Sequence, residues 1–293
     1  MKWEGNRQSD NVEDRRGDGY GGGGGFSMGG RSLGVGAVVL ALLGWGVFGI
    51  DPMTTLGLLS GGQAQPQQQA PAHRPPGNDE GAAFVSTVLA STEDVWNQTF
   101  RQAGAHYTPP RLVLYRGATP TACGSGQAAM GPFYCPADQK VYLDMDFFDT
   151  MRRQLGAPGV FARAYVIAHE VGHHVQNLQG TDRKVNALRG RLSRQQQNAL
   201  SVRVELQADC YAGIWANHSQ QAKHWLDQGD IESALNAASQ IGDDTLQRKQ
   251  GGVVRPDSFT HGSSAQRVHW FTQGYKTGSV QACDTFSKAQ DDR

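Results

Sequence analysis

The chain has 293 residues, enough for one sizeable core with extensions, and its 27 basic and 27 acidic side chains cancel to a net charge of zero. That balance excludes an electrostatic case for nucleic-acid binding.

In chain order, residues 1–32 read as a flexible leader, because a run of glycines at 21–25 and a pair at 29–30 favour disorder over packing. Residues 33–50 are uncharged and apolar over 18 positions, the length that crosses a bilayer, and apolar residues at 53–59 extend them past Asp51 and Pro52. Arg7, Arg15, Arg16 and Arg31 precede this stretch, and no Lys or Arg follows it before His73. The positive-inside rule then predicts a single-pass inner-membrane protein, N-terminus in the cytoplasm and the rest outside. A cleaved signal peptide fits less well, since the charged leader is long and no small-x-small site follows. A buried soluble helix is disfavoured by glycines at 34, 36, 44, 46 and 49.

Residues 51–78 form a linker whose second half, QAQPQQQAPAHRPPGN, is Pro- and Gln-rich with almost no apolar content. The folded domain is expected over 79–293, where Phe84, Val88 and Val95 open a helical pattern. Strand signals follow at 112–115, at Phe133, Tyr134 and Cys135, and at 140–148, with a turn at Ala137, Asp138 and Gln139. These predict a small antiparallel sheet followed by helices to the end, with a sheet edge near the site that could hold an extended peptide by strand addition.

All four cysteines lie in the part placed outside the cytoplasm, where disulfides are the default. Cys123 and Cys135 bracket a Gly-rich segment and are expected to pair locally, leaving Cys210 for Cys283. Zinc binding by four cysteines competes, but no C-x-x-C spacing supports it.

Phe161, Tyr165, Ala168, Gly172 and Val175 recur at steps of three and four, with Pro158 suited to a first turn and Gly180 to a stop. On that helix, His169 and His173 share a face and can grip one metal ion, with Glu170 over its open side. A chance HExxH on a solvated helix is the competing reading. Apolar neighbours (Tyr165, Val166, Ile167, Ala168) weaken it. His174 points about 100° away from His173 and reads as a polar, non-ligand histidine.

A second helix starts at a capping box, Ser193 with Gln196, and carries an apolar stripe of Leu200, Val204, Ala208, Tyr211 and Trp215. Glu205 and Asp209 share a face of it. Glu205 can complete a His, His, Glu set that leaves a fourth zinc position for water, and Asp209 can accept the spare N–H of a ligand histidine. A solvated acidic face is the alternative, disfavoured by Ala208, Cys210, Tyr211 and Ala212 around the pair. In the chemistry expected of such a site, zinc-bound water has a pKa of about 7 and Glu170 takes its proton as it attacks a carbonyl. His261, Tyr211 and His269 are candidates for a further oxyanion donor. His261 is favoured because it precedes a helix start capped by Ser263 with Gln266, against the reading of a surface loop histidine.

With these residues in hand, the chain resembles the bacterial membrane-anchored neutral zinc metallopeptidase family, nearly end to end. The resemblance lies in the opening MKWEG, the segment NVEDRRG at 11–17, and the blocks AHEVGHHVQ, VELQADCYAGIWA and SFTHGSSAQRV. More distantly, the HExxH, the ExxxD and the Thr-His before a helix are similar to gluzincin peptidases, although Gly262 stands where several of those have proline. The resemblance implies an α+β, mainly helical, zincin-like domain preceded by one transmembrane helix, with Zn2+ held by His169, His173 and Glu205. It implies a membrane-anchored endopeptidase acting on peptide or protein substrates. A tethered scaffold that keeps zinc structurally and cuts nothing is the competing function, and Glu170 argues against it, since a structural site has no use for a base.

Overall fold

In the computed structural model the described residues are 1–18, 73–127, 131–153, 156–157, 159–249 and 253–287. The transmembrane helix expected at 33–50, the glycine runs of the leader, most of the linker and Pro158 lie outside them. Among the described residues, no helix is long and apolar enough to cross a membrane.

The elements, in order, are β1 (Val12–Asp14), α1 (Glu80–Gln102), β2 (Arg111–Tyr115), β3 (Ala118–Thr121), β4 (Gly124–Gln127), β5 (Phe133–Cys135), β6 (Lys140–Asp144) and α2 (Phe147–Arg153). Then follow α3 (Val160–Gln179), α4 (Thr181–Arg189), α5 (Arg194–Lys223), α6 (Asp230–Gln240), α7 (Asp243–Lys249) and α8 (Ser264–Thr277). The class is mixed α+β and mostly helical, as the patterning implies.

The sheet departs from expectation. Its strand order is β1-β2-β6-β5, and β1 with β2 and β2 with β6 run parallel; only β5 and β6 pair antiparallel. The reason lies in the connections. A tight turn with Gln139 at φ 57 joins β5 to β6 and reverses the chain, whereas the β3–β4 hairpin and β5 intervene between β2 and β6, so the chain can return in the same direction. The apolar run at 140–148 also divides: the strand stops at Asp144, whose carboxylate accepts the Asp146 N–H, and Phe147 opens α2.

The larger correction concerns the leader. Residues 1–18 are part of the fold rather than a flexible arm, because Trp3 and Val12 are buried in the main core and Val12, Glu13 and Asp14 pair with Leu112, Val113 and Leu114. Trp3 packs edge-on against Phe84 at 5.5 Å. The buried Glu13 takes Lys140 at 3.0 Å and Arg15 at 2.6 Å, and Arg16 bridges Asp14 and the α1 cap Asp79. Burial alone would raise Glu13, but Lys140 and Arg15 outweigh it and hold it below its ordinary value. Hydrogen bonds from Arg16 hold Asp14 down; in Asp79 the Ala82 N–H and Arg16 outweigh burial in the same direction. Carboxylates lowered by folding contribute stability that is present above their ordinary pKa of about 4 and is lost as pH falls through it toward the lowered values. The stability margin of the full chain over one lacking residues 1–18 should therefore narrow below about pH 4. Thermal melts of the two chains from pH 7 to pH 3 check this, and a constant margin would contradict it.

Helices α3, α5 and α8 form the frame. Gly172 lets α3 reach α5: a Cβ there would stand 3.0 Å from the Ala208 carbonyl oxygen and 3.1 Å from its Cα. Gly213 and Gly274 do the same for α5 and α8, where added Cβ atoms would fall 2.1 Å from the Phe271 carbonyl and 1.9 Å from that of Cys210. Phe161 stacks on Trp215 between α3 and α5, at 5.6 Å. The cysteines pair as expected, Cys123 with Cys135 and Cys210 with Cys283, the second closing a loop with a sequence separation of 73. In the chain-entropy model a loop of that length contributes about 4 kcal/mol. A Cys283→Ser variant should accordingly unfold at clearly lower denaturant; an unchanged midpoint would contradict the constraint.

Candidate metal centre

Helix α3 carries His169, Glu170 and His173 on its buried middle, ended cleanly by Gly180 in the left-handed region at φ 75. Helix α5 begins at Ser193, whose capping box with Gln196 is complete, and presents Glu205 to the two histidines. One donor atom from each of His169, His173 and Glu205 lies within 4.8 Å of the others. His169 Nε2 is 3.2 Å from Glu205 Oε2, His173 Nε2 is 3.6 Å from Glu205 Oε1, and the two rings stand perpendicular with centroids 4.8 Å apart.

The other ring nitrogens are already committed. His169 Nδ1 lies 2.8 Å from Asp209 Oδ1, and His173 Nδ1 lies 2.9 Å from Gln176 Oε1. A neutral imidazole donating from Nδ1 presents its Nε2 lone pair, so two lone pairs and a carboxylate converge on one point. Such a set repels itself unless a cation sits between its members, and two nitrogens with one oxygen suit zinc. Without the metal, protons do that work. Burial opposes charge on His173, yet Glu205 overrides it and raises the imidazole to about 10, while the histidines outweigh burial to hold Glu205 well below its ordinary range.

A second layer fixes these ligands. Asp209 is fully buried, receives the Tyr165 hydroxyl at 2.5 Å, and is gripped by Arg267 from α8 through Nε at 2.8 Å and Nη2 at 3.0 Å. Burial would raise Asp209, but Arg267 and His169 bring it down to about 2. Gln176 donates to the Val204 carbonyl at 2.7 Å and to Gln207 at 3.0 Å, and Gln207 in turn reaches the carbonyl of Cys283. The disulfide end of the chain is thereby tied to the orientation of His173. Sequence reasoning found Asp209 and missed Gln176 and Arg267. Gln176 was findable, being three residues after His173 on the same face. Arg267 offered only an arginine on a helix with apolar neighbours.

A cleft of about 660 Å³ is lined by His169, Glu170, His173, Glu205, His261 and, from the outer strand β5, Phe133 and Tyr134. Burial raises Glu170, although His169 and His173 pull the other way, and no hydrogen bond to a described residue fixes its carboxylate. His174 turns away: its Nδ1 meets the Tyr134 hydroxyl at 3.0 Å and its Nε2 the Thr108 carbonyl at 2.7 Å. Of the three candidate oxyanion donors, His261 lines this cleft. Tyr211 is buried elsewhere, its hydroxyl donating to Gln179 at 2.7 Å, and His269 lines a different groove of about 700 Å³ with Val202, Leu206 and Trp270.

The loop holding His261 is organised by Asp243, the first residue of α7. Its Oδ2 accepts the N–H groups of Thr260, His261 and Gly262 at 2.7, 2.7 and 3.1 Å, and its Oδ1 lies 3.3 Å from His261 Nδ1. That partner raises His261 against the opposing effect of burial. Gly262 sits at φ 92, a conformation closed to proline, and donates an N–H that proline lacks. Glycine here is therefore a requirement of the loop.

The family model described as "Putative neutral zinc metallopeptidase" matches residues 1–286, and the chain belongs to that family. It is 51% identical to the uncharacterized protein YpfJ of Escherichia coli K12, over 99% of this chain and 100% of that one. It is 42% identical to the uncharacterized protein Rv2575 of Mycobacterium tuberculosis H37Rv over 221 residues, 70% of this chain and 72% of that one. No solved structure matches.

Proposed function

We propose that the chain is a zinc-dependent endopeptidase in which Glu170 is the general base. The observation that carries this reading is Glu170 itself: a buried carboxylate in the cleft, beside three converging donors, with no hydrogen bond to a described residue that would give it a structural task. A zinc ion held by His169, His173 and Glu205 would supply Lewis-acid polarisation of a carbonyl and a water acidic enough to yield its proton near neutrality. Glu170, raised by burial, is suited to take that proton and return it to the leaving amine. His261, raised by Asp243 and facing the same cleft, is suited to donate to the developing oxyanion. Asp209 and Gln176 keep both imidazoles in the ligating tautomer.

Strand β5 supports a peptide substrate. It is the outer strand of its sheet and lines the cleft, which suits main-chain pairing with an extended segment. Two disulfides support an oxidising compartment for the domain. The test is a peptide-library digest by the purified full chain, with and without a zinc chelator, read by mass spectrometry. Internal cleavages that vanish on chelation and return with zinc are expected. Chelator-insensitive cleavage, or none at all from zinc-loaded protein, would overturn the proposal.

A further inference from the structure

The leader is held by several parts of the domain at once. The Lys2 N–H donates to the Trp225 carbonyl at 2.7 Å, the Ser9 N–H to the Ser86 carbonyl at 3.0 Å, and Arg7 to the Ala90 carbonyl at 2.7 Å. Glu93 of α1 accepts the Ser9 hydroxyl at 2.5 Å and the Asn11 amide at 2.8 Å. On the sheet, the Leu112 N–H reaches the Asn11 carbonyl at 2.9 Å and the Arg15 N–H reaches the Leu114 carbonyl at 2.8 Å. The buried Glu13 is neutralised by Lys140 of β6, two strands away. Finally, the Asp14 N–H donates to the His73 carbonyl at 2.7 Å, so His73 stands beside the leader strand.

These contacts conflict with a single membrane pass. A hydrocarbon core about 30 Å thick between residues 18 and 73 would put the leader and the domain on opposite faces, and none of the contacts could form. Separation would also uncover Trp3 and Val12, strip β2 of one of its two partners, take the Ser9 hydroxyl and the Asn11 amide from the buried Glu93, and part Glu13 from Lys140.

We infer that residues 1–18 and the metallopeptidase domain occupy the same side of the membrane, so that a single pass does not separate them. Three of the four arginines that the positive-inside rule takes as a topology signal serve the fold: Arg7 pairs with Glu93 and Asp94, Arg15 with Glu13, and Arg16 with Asp14 and Asp79. None of the residues in these contacts lines the metal cleft.

The test uses the full chain in its own cells. Glu4 and Gln102 are exposed, one in the leader and one at the end of α1, and the native cysteines are all paired. Glu4→Cys and Gln102→Cys variants are treated with a membrane-impermeant maleimide before and after lysis. The expected result is the same pattern at both positions, labelled before lysis or only after it. Labelling of one with protection of the other, or a mature chain that has lost residue 4, would overturn the inference. A second readout is hydrogen exchange of the purified full chain, in which the Asp14 and Arg15 amides, bonded to the His73 and Leu114 carbonyls, should be protected; exchange of both at free-chain rates would overturn the docking itself.

Discussion

Replacing Glu170 by glutamine should abolish peptide hydrolysis, lowering kcat by about a thousand-fold, while zinc content and melting temperature stay near the parent values. The amide fills the same space in the cleft but cannot accept a proton, and Glu170 is not among the three converging donors. General-base contributions of about 10²–10⁴ set the scale. The comparison separates the two functions considered for the site, because a zinc-stabilised scaffold would be indifferent to the change. Activity in the variant equal to the parent would rule out Glu170 as the base.

The second large effect is expected at Arg267. Its guanidinium is bidentate to the fully buried Asp209 and also meets the Tyr165 hydroxyl at 3.3 Å. Among the described residues, Arg267→Ala would leave Asp209 as a buried charge supported only by His169 and Tyr165, a change that costs about 3–5 kcal/mol when one partner of a buried pair is removed. Because Asp209 orients His169, the variant should also release zinc at lower chelator concentration than the parent. Arg267→Lys should recover only part of both properties, since a single ammonium cannot reproduce the planar fork. Denaturant unfolding with parallel zinc measurement checks the pair of effects. A loss below about 1 kcal/mol would mean that Asp209 does not depend on the arginine.

The features that were legible in the sequence are those encoded locally. His169 and His173 four apart, Glu205 with Asp209 four apart, and the capping boxes at Ser193 and Ser263 all act within one or two turns, and the helices form where those signals stand. The strand reading holds for 112–115 and for the antiparallel pair across the turn at 137–139, overruns β6 beyond Asp144, and misses the parallel pairing of β2 with β6, because that direction depends on how connections cross and not on residue type. The leader strand was invisible for a related reason. It is three residues long, two of them acidic, and its partner is about a hundred residues away, so Glu13 looks solvated until Lys140 is placed beside it. Arg267 and Asp243 share that character: each is an ordinary surface residue type whose role appears only when a distant carboxylate or loop is brought to it.

The most direct test of the central claim is the zinc content of the full chain after gentle purification, measured beside a His173→Ala variant. About one zinc per chain in the parent, falling to nearly none in the variant with the fold retained, is the expected result. Absence of zinc in the parent, or undiminished zinc in the variant, would contradict the assignment of His169, His173 and Glu205 as the metal ligands.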